Sequence, residues 1–164
     1  MDVVQGHYVD PIEGYWENSD ERIWMNSTFY ETAFDDTEKD IILLNYLKDV
    51  DRNVIFIGRD GELAVGDFVS ETDDKVFALS LPEVKKYING GDCRHTKYAV
   101  AKYDGVGSKY WVLRTMSTTG SGPVCVGLDH NIYNFVELLS GVSSNHYNVG
   151  VRPAIWISID AATE

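Results

Sequence analysis

The stretch Gly150-Val151-Arg152-Pro153-Ala154-Ile155-Trp156-Ile157-Ser158-Ile159 limits the fold more than any other part of the chain. It is the most apolar sustained run near the C-terminus, and it opens on a turn signal. Gly150 allows backbone angles closed to other residues. Pro153 lacks an N–H and suits an edge or the start of a strand. From Ala154 the residues alternate, with Ile155, Ile157 and Ile159 on one face and Ala154, Trp156 and Ser158 on the other. The pattern predicts a late β-strand that closes a sheet, with Arg152 held near its start.

Ahead of that strand, helix signals come early and strand signals late. Ser19 is a predicted N-cap, with Arg22 three residues on. Phe29 with Ala33, and Tyr30 with Phe34, give a one-sided helix over 27–34. Asp36 or Thr37 is expected to cap a second helix, whose apolar face (Ile41, Leu44, Leu47) carries it to about Tyr46 or Lys48. Val54 to Ile57 and the Asp60-Gly61 turn suit a hairpin. Ser70 to Asp74 reads as a loop and Lys75 to Ser80 as a buried strand. Ser80 and Pro82 begin a short helix through Glu83, Val84 and Tyr87 that ends before Asn89. Beyond residue 92, Tyr110–Thr115 and Val124–Gly127 have strand composition, and Ile132–Leu139 is extended or mixed. Polar loops fall at 104–108, 117–123 and 141–148. This order predicts a single α+β domain over 1–164.

A chain of this length buries most of the surface its unfolded form exposes. The charge balance is acidic, 14 Lys+Arg against 26 Asp+Glu, net −12. Such a chain repels phosphate backbones and anionic lipid surfaces, so no nucleic-acid partner is expected. No apolar run is long enough to span a bilayer, which argues against direct membrane insertion. The first ten residues lack the basic and apolar regions of a signal peptide. The expectation is a cytoplasmic protein, or an extracellular or cell-surface domain if it is part of a longer secreted chain. Cys93 and Cys125 form no C-x-x-C; two buried thiols are expected, with a disulfide as the alternative.

The ordered signature Trp16-Glu17-Asn18-Ser19, Arg22, Trp24, Asn26, Phe29, Ala33-Phe34, Glu38, Asp74-Lys75-Val76-Phe77, Leu79-Ser80, Glu83, Arg94, Thr96, Tyr98-Ala99, Trp111, Leu113-Arg114 and Gly150-Val151-Arg152-Pro153-Ala154 resembles the bacterial family called domain of unknown function 6273. The likeness covers the chain from Trp16 to Ile159. Tyr110 departs from it, standing where the family usually has a second tryptophan, and so does Met25, where leucine is common. The resemblance implies a C-type-lectin-like fold, similar to formylglycine-generating-enzyme domains. In that arrangement early helices pack on a small twisted antiparallel sheet and long late loops lie to one side. It also implies a binding module of a bacterial surface or secreted protein.

Catalytic signatures are missing from the residues themselves. The histidines His7, His95, His130 and His146 have no i,i+4 partner, and no G-x-S-x-G occurs. Cys93 and Cys125 do not match the cysteine pair of formylglycine-generating enzymes, so that activity is not implied. The calcium-lectin motifs Glu-Pro-Asn, Gln-Pro-Asp and Trp-Asn-Asp do not occur. Asp35-Asp36 and Asp73-Asp74 are expected to cap helices and turns rather than to hold calcium. No catalytic residue, metal or cofactor is therefore assigned. Trp16, Trp24, Trp111 and Trp156 are expected in the core. Arg22, Arg114 and Arg152 are expected as structural arginines paired with Glu38, Glu83 or backbone carbonyls. The late loops, rich in Ser, Gly, Asn and Tyr, have the composition of binding surfaces. The ligand-binding candidates are Trp111, Asp129, His130, Asn131, Tyr133, Asn145, His146 and Tyr147. The function expected is a non-catalytic ligand-binding or adhesion module for carbohydrate or protein. A structural or regulatory domain of a larger protein, or an enzyme of another reaction, are the alternatives.

Overall fold

A computed structural model describes residues 16–48, 55–57, 62–64, 71–88, 110–116, 123–127, 132–134 and 149–159. The described residues are mixed α+β.

The first layer is helical. After a 3-10 turn at Trp16–Asn18, Ser19 sits in extended conformation and its Oγ accepts from the Arg22 N–H at 3.2 Å, which starts α1 (Asp20–Trp24). The helix does not stop there. It widens into a π turn over Met25–Phe29 and continues as α2 (Tyr30–Ala33). Ser27 Oγ and Asn26 Nδ2 both donate to carbonyls one turn back, Ile23 O and Arg22 O. Such back-bonding competes with the backbone ladder and bends helices. A second cap follows at once. Asp35 Oδ1 accepts from the Glu38 N–H and Glu38 Oε2 accepts from the Asp35 N–H, opening α3 (Asp36–Ile41).

The expected continuation of that helix to Tyr46 or Lys48 is overturned. Ile42 is already extended, and β1 (Asn45–Lys48) pairs antiparallel with β4 (Glu71–Asp74). The residues read as a loop, 71–74, are thus a strand. Tertiary contacts outweigh the helical spacing of Ile41, Leu44 and Leu47. The Leu43 N–H donates to Trp156 O at 2.9 Å and the Ser158 N–H to Ile41 O at 2.8 Å, and Leu47 and Thr72 turn inward as cross-strand partners. β2 (Ile55–Ile57) and β3 (Glu62–Ala64) form the expected hairpin. Residues 76–78 are buried, as read, but they are not a strand: Phe77 makes one isolated bridge, to Ala154.

Ser80 caps α4 (Leu81–Tyr87) through a second box with Glu83, and Pro82 stands in its first turn. The largest sheet has the order β7-β6-β5-β8: β7 (Ile132–Asn134), β6 (Pro123–Gly127), β5 (Tyr110–Met116) and β8 (Val149–Gly150). Its first two pairings are antiparallel; β8 lies parallel to β5. Alternation along β5 and β6 divides the core. Val112 and Cys125 face the helical layer with Trp16, Met25 and Tyr30. Trp111, Leu113, Val124 and Val126 face α4, against Leu81 and Val84. The sheet is thus covered on both faces.

The C-terminal stretch is not the sheet-closing strand that its alternation predicts. Strand β8 is only Val149–Gly150, and 154–159 is not a strand but touches others through isolated bridges, Phe77↔Ala154 and Ile42↔Ile157. Its isoleucines do not share a buried face: Ile155 packs partly against the core, while Ile157 and Ile159 are exposed. Trp156, expected in the core, is 42% exposed.

Two polar side chains bind the helical layer to the strand region. The Asp74 carboxylate, wholly buried, accepts from Trp16 Nε1 (2.8 Å), Thr72 Oγ1 (2.8 Å) and Arg22 Nε (2.7 Å). Asn26 Oδ1 accepts from the Lys75 and Val76 N–H groups, and its Nδ2 donates to Val76 O. Removing one partner of a buried, hydrogen-bonded charge pair costs about 3–5 kcal/mol. Asp74→Ala should therefore lose about that much in equilibrium urea denaturation. A loss below about 1 kcal/mol would show that the carboxylate does not hold these elements together.

Candidate functional site

Three of the sequence-selected residues, Trp111, Arg114 and Arg152, meet around β5. Between Val112 and Met116 the register with β6 shifts, a bulge that re-aims the strand. There the Arg114 N–H donates to Leu79 O at 3.2 Å. The Arg114 side chain is buried, with Nη1 2.8 Å from Ala78 O and 2.5 Å from Glu83 Oε2 and the guanidinium 5.6 Å from the Phe77 ring centre. Glu83 Oε2 also accepts from the Ser80 N–H and Oγ. The expected pairing of a structural arginine with Glu83 and a backbone carbonyl is thus the geometry present. Burial pushes the Glu83 carboxyl up, but the bonds from Arg114 and from the Ser80 backbone outweigh it, and the carboxyl titrates below its ordinary value.

Trp111, before the register shift, packs against Leu81 and Val84 of α4. Its ring is 1% exposed, and its Nε1 finds no hydrogen-bond partner among the described residues. The Arg152 guanidinium stands 4.5 Å from the Trp111 ring centre, a cation–π distance. Of the two expectations for Trp111, core residue and ligand contact, the described residues show the core packing.

The remaining side chains divide sharply. Trp16 and Arg22 serve the Asp74 carboxylate; Arg22 also donates from Nη1 to Glu17 O at 2.8 Å and does not use Glu38. Trp24 packs partly buried against Phe29, with ring centres 5.0 Å apart. Cys125 is a free, buried thiol, and burial pushes its pKa upward, so it is a core side chain and not a thiolate nucleophile. Of the acidic pairs, Asp35 caps α3 in place of the expected Asp36 or Thr37, which lie inside the helix, and Asp73 and Asp36 are exposed. From sequence, Asp74 stands out only through the family likeness and as one of an acidic pair at a turn; its place as the buried acceptor of Trp16, Arg22 and Thr72 is not contained in local pattern. Among the described residues no group of three His, Cys, Asp or Glu could hold a metal ion, and no helix is long and apolar enough to cross a membrane.

The other ligand candidates flank the sheet in sequence. Tyr133 is on β7, paired with Cys125. Asp129, His130, Asn131, Asn145, His146 and Tyr147 lie outside the described residues, as do Cys93, His7 and His95. The register defines the sheet end they adjoin. Tyr110 pairs with both Gly127 and Val149, and Val126 pairs with Ile132. The start of β5, the end of β6, the start of β7 and the start of β8 therefore share one end of the sheet.

The Glu83–Arg114 pair makes a pH prediction. Because the folded carboxyl titrates below its unfolded value, the pair stabilises the fold above the ordinary carboxylate range, and that contribution is lost as pH falls through the folded value. Urea melts between about pH 5 and pH 3 should show Glu83→Gln losing less stability on acidification than the parent. Parallel curves would contradict the coupling.

Comparisons with known proteins place these features in context. No curated protein and no solved structure matches the chain. The family described as Domain of unknown function (DUF6273) matches residues 2–159. Trp16 and Arg22 on Asp74, and Trp111 under Arg152, lie within that span, and this chain belongs to the DUF6273 family.

Proposed function

We propose that this chain is a non-catalytic ligand-binding or adhesion module of C-type-lectin-like architecture, taking carbohydrate or protein at a bacterial cell surface. The observation that carries this reading is the convergence of strand ends in the four-stranded sheet. The chain leaves the sheet at Gly127, toward Asp129, His130 and Asn131, and rejoins it at Ile132. It rejoins again at Val149, directly after Asn145, His146 and Tyr147. Two connections of binding-type composition thus adjoin one end of a sheet packed on both faces. Loops fixed at their roots by a rigid scaffold are where recognition residues concentrate.

The described polar groups support the non-catalytic part. Asp74, Arg22, Glu83 and Arg114 are engaged in bonds between elements. A catalytic acid or base must instead reach a substrate proton.

Glycan and surface-protein arrays test the proposal. A hit should weaken about tenfold or more, roughly 1.4 kcal/mol, in a His130→Ala/Tyr147→Ala double variant whose thermal unfolding is unchanged. Clean negatives on both arrays, or a hit indifferent to that variant, would sink it.

A further inference from the structure

Tyr87 and Trp156 stand in contact on the surface. Tyr87 closes α4 and is 49% exposed; Trp156, in the C-terminal segment, is 42% exposed. Their ring centres are 5.8 Å apart and the planes meet at 78°, so the two rings form an open right-angled corner. Both are carried on anchored backbone. Trp156 O accepts from the Leu43 N–H at 2.9 Å, and the segment is bridged on either side by Phe77↔Ala154 and Ile42↔Ile157. The start of α4 is fixed by its capping box and by the Leu81 N–H donating to Thr115 Oγ1 at 2.9 Å.

The charge beside this corner is opposite to that of the chain. In a protein of net −12, the last turn of α4 carries Lys85 and Lys86, and Lys86 Nζ lies 4.8 Å from the Tyr87 ring centre. An aromatic face is electron-rich and meets the polarised C–H groups of a sugar ring favourably. Lys86, over one face of Tyr87, supplies a point charge for an anionic substituent of a sugar set on the Trp156 side of the pair. Aromatic rings with few rotamers present contact area at small entropic cost. We propose that the Tyr87–Trp156 corner binds an acidic saccharide, a pyranose carrying a carboxylate, with the sugar face on the aromatic rings and the carboxylate toward Lys86. The site is independent of the loop reading above, because none of its residues belongs to the connections at 128–131 or 145–148.

Titration of the full chain with polygalacturonate, with neutral dextran as the contrast, tests this by intrinsic tryptophan fluorescence and calorimetry. Polygalacturonate should bind and dextran should bind at least about tenfold more weakly. Trp156→Ala should reduce polygalacturonate affinity about tenfold, Trp156→Phe should restore most of it, and Lys86→Gln should weaken it severalfold and flatten its salt dependence. Tyr87→Ala provides a second route should Trp156→Ala lose its fold. The His130→Ala/Tyr147→Ala variant should bind polygalacturonate as the parent does, which separates failure here from failure of the loop reading. Absent binding, equal binding of dextran, or indifference to both aromatic variants would overturn the proposal. So would concentration-dependent dimerisation abolished by Trp156→Ala, since a second copy would then cover the corner.

Discussion

A carboxylate taken fully out of water loses several kcal/mol of hydration, and it is tolerated only where donors replace the lost solvent. Asp74 meets that condition through groups drawn from three places in the chain: the Trp16 indole, the Arg22 guanidinium and the Thr72 hydroxyl. Each donor is itself fixed. Ser19 starts the helix that carries Arg22, the Trp16 carbonyl accepts from the Ser19 N–H and hydroxyl, and Thr72 is held in register opposite Leu47. The helical layer can therefore take only one position over β4. Asn26 makes the same point with an uncharged group. Its amide takes the place of a neighbouring strand for residues 75 and 76, satisfying two N–H groups and a carbonyl. This explains how 76–78 can be buried with so little strand pairing.

Strand β5 carries the second constraint. One face must pack hydrophobic residues against α4 and the other against the helical layer, and Arg114 must reach Glu83 from between them. The bulge after Val112 reconciles these demands by interrupting the ladder to β6, while Leu79 O receives the Arg114 N–H. The arrangement carries a desolvation cost at Trp111, whose buried N–H goes without a partner among the described residues. An unsatisfied buried donor costs about 1–3 kcal/mol. Arg152 offsets part of it: a guanidinium over an indole face is worth roughly 0.5–2 kcal/mol depending on desolvation.

Much of the local structure was legible in the sequence. Ser19 and Ser80 are caps because their side-chain oxygens meet helix N–H groups three residues on, a relation that spacing alone contains. The hairpin at 55–64 and strands β5 and β6 also follow from composition and turn residues. The failures have a common origin. Ile41, Leu44 and Leu47 fit a helical stripe as well as they fit an exit followed by a strand, and the choice is made by hydrogen bonds to residues more than a hundred positions away. Local pattern makes Asp74 a turn residue, because its partners Trp16 and Arg22 stand far away in sequence. Of the proposed loop site, the sequence supplied the residues, and the sheet register supplied the common end to which they attach.

The C-terminal segment shows why alternation misled most there. Alternating apolar residues report a strand whose faces differ, but burial of one face requires a layer to cover it. Residues 151–159 are fastened by backbone bonds, Ala154 to Phe77, Trp156 to Leu43 and Ser158 to Ile41, and by the burial of Val151. Backbone bonds are indifferent to side-chain identity, so they leave the outward side chains unconstrained by folding. At those positions apolar residues nonetheless stand: Trp156, Ile157 and Ile159, beside Leu43 and Tyr87, are all exposed. Each large apolar side chain left in water forgoes about 1.5–3 kcal/mol of burial. Scattered exposures of this kind are ordinary; Trp156 differs in that its ring meets another exposed ring, Tyr87. The edge-to-face contact of Trp156 with Tyr87 recovers part of that cost, and an acidic saccharide bound there gives the exposed remainder of the two rings a use.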